Sequence, residues 1–198
     1  MDLSAVRDFV RVTCLRDAAM VAGDWTASHV VSLLDPELAE EHVPRISNAK
    51  HHVVRLRDQE NALATGHFPD AVTAFFDTVL PAIEQQDSRI LVHCHAGVSR
   101  STAFAYGILA HRFGTGREDE AFAALLSIVN KPWPNRRIIE IFDEHWQRQG
   151  RLLAPLDVMR AKHPKRIDAW HRFNERRGMT GTYSRWSAYF PLPSKCAE

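Results

Sequence analysis

The sequence predicts an α/β domain with a central, mostly parallel sheet of about four to five strands flanked by helices. Two observations support this prediction. Four short runs rich in β-branched residues occupy the first half of the chain, and helical patterns follow the last of them. Strands that precede and alternate with helices in this way are typical of parallel sheets in layered α/β domains.

The four predicted strands are short apolar runs bounded by charged or turn-forming residues. They cover residues 9–15, 29–35, 51–58 and 88–94. The last run is almost continuous in apolar residues, which favours a strand that is buried on both faces. We therefore expect other elements to cover this strand from both sides.

Helical patterns dominate from residue 69 onward. The predicted helices cover residues 69–86, 101–113, 117–130, 136–150 and 164–178. Pro81 is expected to kink the first helix, and the second is apolar nearly all round, so we expect it to be central and buried. Gly150 is a good helix-terminating residue, and it separates a predicted domain at 1–150 from a basic, aromatic extension at 151–198.

Composition and charge narrow the class of protein. The 198 residues are 45% hydrophobic and 25% charged, with a formal net charge of +1, which is ordinary for a globular protein. No apolar run approaches the roughly 18 residues that a membrane span needs, and charged residues interrupt the N-terminus where a signal peptide would be apolar. The three cysteines, Cys14, Cys94 and Cys196, are widely spaced and odd in number, which favours a reducing, cytoplasmic location.

Positive charge is concentrated towards the C-terminus. Residues 148–185 contain ten lysines and arginines and three acids, a net charge of +7, whereas the whole chain carries +1. Such a segment attracts anionic partners, although a solvated helix face gives the same pattern. Both interpretations stay open at the level of the sequence.

A short loop rich in small residues joins the fourth predicted strand to the next helix, in the stretch HCHAGVSRST at 93–102. Successive amides of such a loop can point inward as a nest for an anion, and the helix N-terminus adds unpaired N–H groups and partial positive charge. Gly97 allows the curvature, and Arg100 offers a planar fork that matches two phosphate oxygens. The predicted phosphate-binding residues are His95, Ala96, Gly97, Val98, Ser99 and Arg100.

Cys94 lies at the base of this predicted cup. A cysteine in such positive surroundings is expected to be a thiolate at neutral pH, and a thiolate that faces a bound phosphate is placed for covalent phosphoryl transfer. A structural cysteine at a strand end is the alternative, common for a lone cysteine. A metal site at 93–95 is disfavoured, because consecutive side chains on a strand point to opposite faces. We expect no metal and no other cofactor.

This stretch resembles the signature of the cysteine-dependent phosphatases, which reads histidine, cysteine, five residues, arginine, and serine or threonine. Its Ala-Gly-x-Ser-Arg-Ser form is similar to the dual-specificity subgroup of the protein tyrosine phosphatases, and a looser similarity runs from about residue 30 to 150. The resemblance implies a three-layer catalytic domain at 1–150. It also implies hydrolysis of phosphate monoesters through a cysteinyl-phosphate intermediate.

The same resemblance assigns roles to individual residues. Cys94 is expected to be the nucleophile, Arg100 to bind phosphate and the transition state, and Ser101 to help expel the thiolate. His93 is expected to shape the loop from outside, although a hydrogen-bonded core histidine would look the same. Asn135, in the stretch KPWPN, is similar to a residue that supports the loop in dual-specificity enzymes, and it is also a good helix N-cap.

A general acid must protonate the leaving group, and in the family it is an aspartate on a loop that follows an earlier strand. Asp58 follows the third predicted strand, 36 positions before Cys94. The ends of parallel strands meet at one edge of a sheet, which would bring Asp58 to the loop. Glu60 and Asp70 are the alternatives for this role.

The expected substrate is a phosphoprotein, most of all one that carries phosphotyrosine, with phosphoserine and phosphothreonine as further possibilities. The loop has His95 and Val98 where phosphoinositide phosphatases tend to carry lysines, so a lipid or other non-protein phosphate is the alternative. A phospho-binding module without activity would usually have lost Cys94. A sulfurtransferase would also use a loop cysteine, but the spacing to Arg100 fits phosphate better.

Overall fold

The computed structural model describes residues 3–60, 67–85 and 87–176. Its centre is a sheet of four parallel strands in the order β1-β4-β2-β3. The strands are β1 (Val10–Cys14), β2 (His29–Leu34), β3 (Lys50–Arg55) and β4 (Ile90–Cys94). This arrangement confirms the predicted α/β class and its parallel sheet.

Helices surround the sheet. The first five are α1 (Leu3–Phe9), α2 (Ala18–Asp24), α3 (His67–Ala74), α4 (Leu80–Ile83) and α5 (Arg100–Phe113). The remaining ones are α6 (Glu118–Ile128), α7 (Arg136–His145), α8 (Leu153–Lys162) and α9 (Arg166–Arg176). Single turns of 3₁₀-helix lie at Leu15–Asp17 and Glu40–His42. None of the described helices is long and apolar enough to cross a membrane.

Two predicted helices differ from the structure for local reasons. The pattern at 69–86 is divided by a π-helical turn at Phe75–Val79, just before Pro81 in the first turn of α4, because proline cannot donate the regular helical hydrogen bond. The helix predicted at 136–150 ends at His145. The carboxylate of Asp143 accepts the N–H groups of Gly150 at 2.6 Å and Leu152 at 2.9 Å, so the chain turns back across the helix end.

The second predicted helix is central and buried, as expected. Every residue of α5 from Arg100 to Ala110 is buried. Its Gly107 packs directly on α7, because a Cβ atom at that position would lie 1.9 Å from the ring of Phe142. On the opposite face of the sheet, Trp25 and Leu91 belong to a smaller apolar cluster next to α2. The sheet is therefore the middle layer of three, and strand β4 is buried throughout.

Candidate active site

The loop between β4 and α5 lies directly against the end of β1. Gly97 has a φ of +72°, and a Cβ atom there would lie 2.9 Å from the carbonyl oxygen of Thr13. Glycine is therefore required at this position both by the backbone conformation and by the close approach. The amide of Leu15 donates to the carbonyl of His95 at 3.2 Å, which holds the start of the loop on the same strand.

Cys94 and Ser101 meet beneath this loop. Both residues are buried, and Sγ of Cys94 lies 3.1 Å from Oγ of Ser101. Because α5 begins at Arg100, the sulfur is next to the N-terminal turn of a helix, where unpaired N–H groups favour an anion. The serine hydroxyl is in position to donate a hydrogen bond to a thiolate, which is the role that the family resemblance implies for it.

Arg100 is buried and anchored from the ends of two strands. Its Nη1 donates to Oδ1 of Asp35 at 2.9 Å and to the carbonyl oxygen of Leu56 at 2.7 Å. Its Nε lies 3.8 Å from Oδ2 of Asp58 and has no hydrogen-bond partner within the described part of the chain. The guanidinium group is thus fixed through Nη1, and its Nε–H remains available to donate to an oxygen of a bound phosphate.

Asp35 belongs to this site, and the sequence reasoning missed it. It follows β2 directly, and Asp58 lies shortly after β3, so the rule that parallel strands end at one edge could have found it. Burial raises the pKa of Asp35, while Arg100 opposes the shift and Asp58 adds to it. Its amide also donates to Nε2 of His95 at 3.5 Å, so Asp35 joins the arginine to the loop.

Asp58 lies at the mouth of the loop, three residues beyond the end of β3. Its Oδ1 accepts hydrogen bonds from Oγ of Ser99 at 2.7 Å and from Nδ2 of Asn135 at 2.8 Å. The alternatives point elsewhere. Glu60 contacts the N-terminus of α7, and Asp70 is exposed on α3 without a described contact to the loop.

Asn135 caps helix α7 and also contacts the loop that carries Asp58. Its Oδ1 accepts the N–H of Ile138 at 3.1 Å, which caps α7. Its Nδ2 donates to Asp58 and to the carbonyl oxygen of Gln59 at 3.1 Å. One buried side chain therefore joins a helix N-terminus to the loop that carries the candidate acid.

The two histidines beside the cysteine are buried and neutral. Burial lowers the pKa of His93 to about 3, and burial followed by the charge of Arg100 lowers the pKa of His95 to about 3. Nε2 of His93 pairs with Oγ of Ser32, which also pairs with Nε2 of His51 at 2.7 Å. His93 is thus a hydrogen-bonded core histidine that also braces the strand end below the loop.

These low pKa values predict a loss of stability in mild acid. The unfolded chain binds a proton at each histidine below about pH 6.5, while the folded chain does so only near pH 3. Stability should therefore fall as the pH drops through this window, by about 1.4 kcal/mol per pH unit for each histidine. Urea titrations at several pH values measure how the free energy of unfolding changes with pH. His95→Gln should reduce this change by about 1.4 kcal/mol per pH unit, whereas substitution of the exposed His171 by glutamine should leave it unaltered. An unchanged slope in His95→Gln would contradict the assignment.

Comparison with known proteins gives similarity at the level of structure. No protein-family model matches the sequence, and no curated protein matches it significantly. A single-residue variant of human DUSP28 is 19% identical, with 73% of this chain and 95% of that chain covered and a TM-score of 0.51. The PTP-2 phosphatase of Cydia pomonella is 22% identical, with 70% and 86% covered and a TM-score of 0.52.

A third similar structure is that of PTPMT1 in complex with PI(5)P. It is 15% identical, with 74% of this chain and 96% of that chain covered and a TM-score of 0.52. All three structures are similar to this protein over at least 70% of its chain. The chain therefore has the fold of the dual-specificity and cysteine-dependent protein tyrosine phosphatases.

Proposed function

We propose that this protein hydrolyses phosphate monoesters through a covalent cysteinyl-phosphate intermediate. The observation that carries the proposal is the convergence of four side chains on one loop, since Cys94, Arg100 and Ser101 lie within the stretch 93–102 and Asp58 reaches them from the loop after β3. A structural cysteine would need none of the other three. The arrangement provides a nucleophile, a cation and an acid around one anion-binding loop.

In the first step, the thiolate of Cys94 forms a bond to phosphorus while the bond from phosphorus to the leaving oxygen breaks. Asp58 gives its proton to that oxygen. The amides of the loop and the free Nε of Arg100 bind the three equatorial oxygens, where charge is greatest in the transition state. Asp35 supports this step by holding the other end of the guanidinium group.

In the second step, water attacks phosphorus and gives its proton to Asp58, so the acid is restored. The bond from phosphorus to sulfur breaks, and Ser101 donates a hydrogen bond to the departing thiolate of Cys94 across the observed 3.1 Å. Inorganic phosphate then leaves. The cycle consumes one water molecule and returns every side chain to its starting protonation state.

For the substrate we propose phosphoproteins, with phosphotyrosine first and phosphoserine or phosphothreonine next. The loop from His95 to Ser99 carries no lysine, and the carboxylate of Asp35, which binds Arg100, lies beside His95 of this loop. A polyphosphorylated inositol headgroup would bring its additional phosphates close to this carboxylate. We also propose a cytoplasmic location, since a catalytic thiolate needs reducing surroundings.

The test is release of phosphate from an aryl phosphate, followed by a panel of phosphotyrosine peptide, phosphoserine peptide and a phosphoinositide. Loop amides and Arg100 supply the positive charge, so a chelator should leave the rate unchanged, and vanadate, a mimic of the five-coordinate phosphorus, should inhibit. A rate that is lost with chelator and restored by magnesium or zinc would contradict the mechanism. Faster turnover of the phosphoinositide than of either peptide would overturn the substrate class alone.

A second cysteine lies beside the proposed nucleophile. The spacing in the sequence gave no indication of a resolving thiol, but the register pairs Cys14 of β1 with Cys94 of β4. Both cysteines are buried, and neither forms a disulfide within the described residues. Neighbouring strands lie about 4.8 Å apart, which is within the range of Cα separations that a disulfide spans.

Mild peroxide is therefore expected to link these two cysteines reversibly. The thiolate of Cys94 attacks peroxide to give a sulfenic acid and hydroxide, and the thiol of Cys14 then attacks the sulfenic sulfur to form the disulfide with loss of water. Activity should return with dithiothreitol in the wild type, whereas Cys14→Ser should proceed to irreversible sulfinic acid. Mass spectrometry of non-reduced peptides measures both products. Sulfinic acid at Cys94 in the wild type, without the disulfide, would contradict the expectation.

A further inference from the structure

Helices α8 and α9 contact the segment 131–135 through three hydrogen bonds to its backbone. Each bond joins a side-chain donor to a carbonyl oxygen: Trp170 to Lys131 at 2.9 Å, Arg166 to Pro132 at 3.3 Å, and Arg160 to Pro134 at 2.8 Å. Two prolines in this segment leave it without regular secondary structure. The helices that follow residue 150 therefore satisfy polar backbone groups that the segment itself cannot pair.

The opposite side of the same segment contacts the phosphate-binding loop. The amide of Trp133 donates to the carbonyl oxygen of Val98 at 3.0 Å, and the amide of Asn135 donates to that of Ser99 at 3.3 Å. The segment 131–135 thus lies between the C-terminal helices and the loop. A contact made by α8 can affect the candidate active site through this segment.

Arg160 of α8 also reaches the loop that carries Asp58. Its Nη1 donates to Oε2 of Glu60 at 3.0 Å, and its Nη2 contacts Oε1 of the same carboxylate. The guanidinium group lies over the ring of Trp133 at 4.6 Å, and the arginine side chain is only 17% exposed. A two-point ion pair against an aromatic ring is stronger than an exposed surface pair.

The loop at 56–60 is held at successive positions by different parts of the chain. Arg100 binds the carbonyl oxygen of Leu56, Asn135 binds Asp58 and the carbonyl oxygen of Gln59, and Arg160 binds Glu60. The amide of Arg136 also donates to Glu60 at 2.9 Å. Arg160 is the only one of these partners that comes from the part of the described chain beyond residue 150.

We propose that Arg160 is a positioning residue for the proposed general acid. Through Glu60 it orders the loop so that Asp58, two residues earlier, faces the leaving oxygen of the substrate. The inference rests on the proposed function, because it assigns a contribution to one step of that mechanism. It also assigns one residue of the basic segment 148–185 a contact within the protein instead of a role in binding an anionic partner. Arg148 of the same segment likewise forms a buried ion pair with Glu118.

The test compares two substrates in wild type, Arg160→Gln and Glu60→Gln. A misplaced acid slows only the esters whose leaving group needs a proton, so phenyl phosphate should lose roughly 10-fold in kcat, part of the about 10²- to 10⁴-fold that a general acid supplies. An aryl phosphate with an acidic phenol should lose less than about 2-fold. Arg160→Lys keeps the charge and should lie between the wild type and Arg160→Gln.

Two double variants test whether Arg160 acts through Glu60 and Asp58. The double variant of Glu60→Gln with Arg160→Gln should lose no more than either single variant, because both remove the same contact. In an Asp58→Asn background, Arg160→Gln should cause no further loss on phenyl phosphate. The matched control is Arg117→Gln, which breaks an exposed ion pair with Glu120 on α6 and should leave both substrates unchanged.

Several results would overturn the inference. Equal losses on both substrates, additive losses in the double variant, or an unchanged Glu60→Gln each mean that Arg160 does not act through Asp58. If Arg160→Gln fails to fold, Glu60→Gln on the loop side of the pair decides the question. If the wild type shows no phosphate release that depends on Cys94, the proposed function fails and the inference fails with it. An active wild type with unaffected variants removes only the role of Arg160.

Discussion

Cys94→Ser is expected to reduce phosphate release from an aryl phosphate by roughly 10⁴- to 10⁶-fold, as for removal of other covalent nucleophiles. The serine hydroxyl holds its proton far more tightly than a thiol, so the anion-binding loop cannot supply a usable nucleophile at neutral pH. Ser101 is already 3.1 Å from Sγ and would then hydrogen-bond a neutral hydroxyl. The phosphate-binding groups remain in place.

The variant should therefore still bind phosphate esters. Binding of a non-hydrolysed phosphotyrosine peptide to Cys94→Ser, measured by calorimetry, should be retained, and thermal unfolding should change little because the two side chains are of similar size. Cys14→Ser is the matched control, since it changes the cysteine on the neighbouring strand and should keep nearly full activity. Residual activity within 10-fold of the wild type in Cys94→Ser would mean that water attacks phosphorus directly.

The features that could be predicted from sequence are local ones. The stretch at 93–102 contains the strand end, the glycine that must have a positive φ, the arginine and the helix start within ten residues. The long apolar helix α5 was predicted to within one residue at its start. Strand ends were also close, because turn-forming and charged residues follow each apolar run.

The features that sequence reasoning missed depend on tertiary contacts or on short elements. Helices α1 and α2 have seven residues each, too few for periodicity to distinguish them from loops. The pairing of Cys14 with Cys94 depends on strand order, which places β1 beside β4 across 75 intervening residues. Arg160 and Glu60 are 100 positions apart, and no local pattern relates them.

Asp58 illustrates both cases. Its place after a strand was readable, but the structure shows that β3 ends at Arg55 and that the loop between them is held by Arg100 and Asn135. A proton donor at the end of a free loop would be poorly oriented. The observed hydrogen bonds reduce the number of conformations that the carboxyl group can adopt before substrate binds.

Asp58→Asn is accordingly expected to cost about 10²- to 10⁴-fold in kcat on phosphotyrosine, which is roughly 3 to 5.5 kcal/mol of transition-state stabilisation. Asparagine has nearly the same shape, and its amide oxygen can still accept from Ser99 or Asn135, so the loop should keep its position. The amide cannot give a proton to the leaving oxygen. An aryl phosphate with an acidic phenol needs little protonation and should be affected far less.

The decisive measurement is the single-turnover rate against the basicity of the leaving group, for wild type, Asp58→Asn, Glu60→Gln and Asp70→Asn. Asp58→Asn should show the steepest dependence, Glu60→Gln a smaller change through the loop, and the exposed Asp70→Asn none. Equal losses for all leaving groups in Asp58→Asn would mean that the carboxylate orders Ser99 and Asn135 without donating a proton. A steep dependence in Asp70→Asn alone would transfer the role of general acid to that residue.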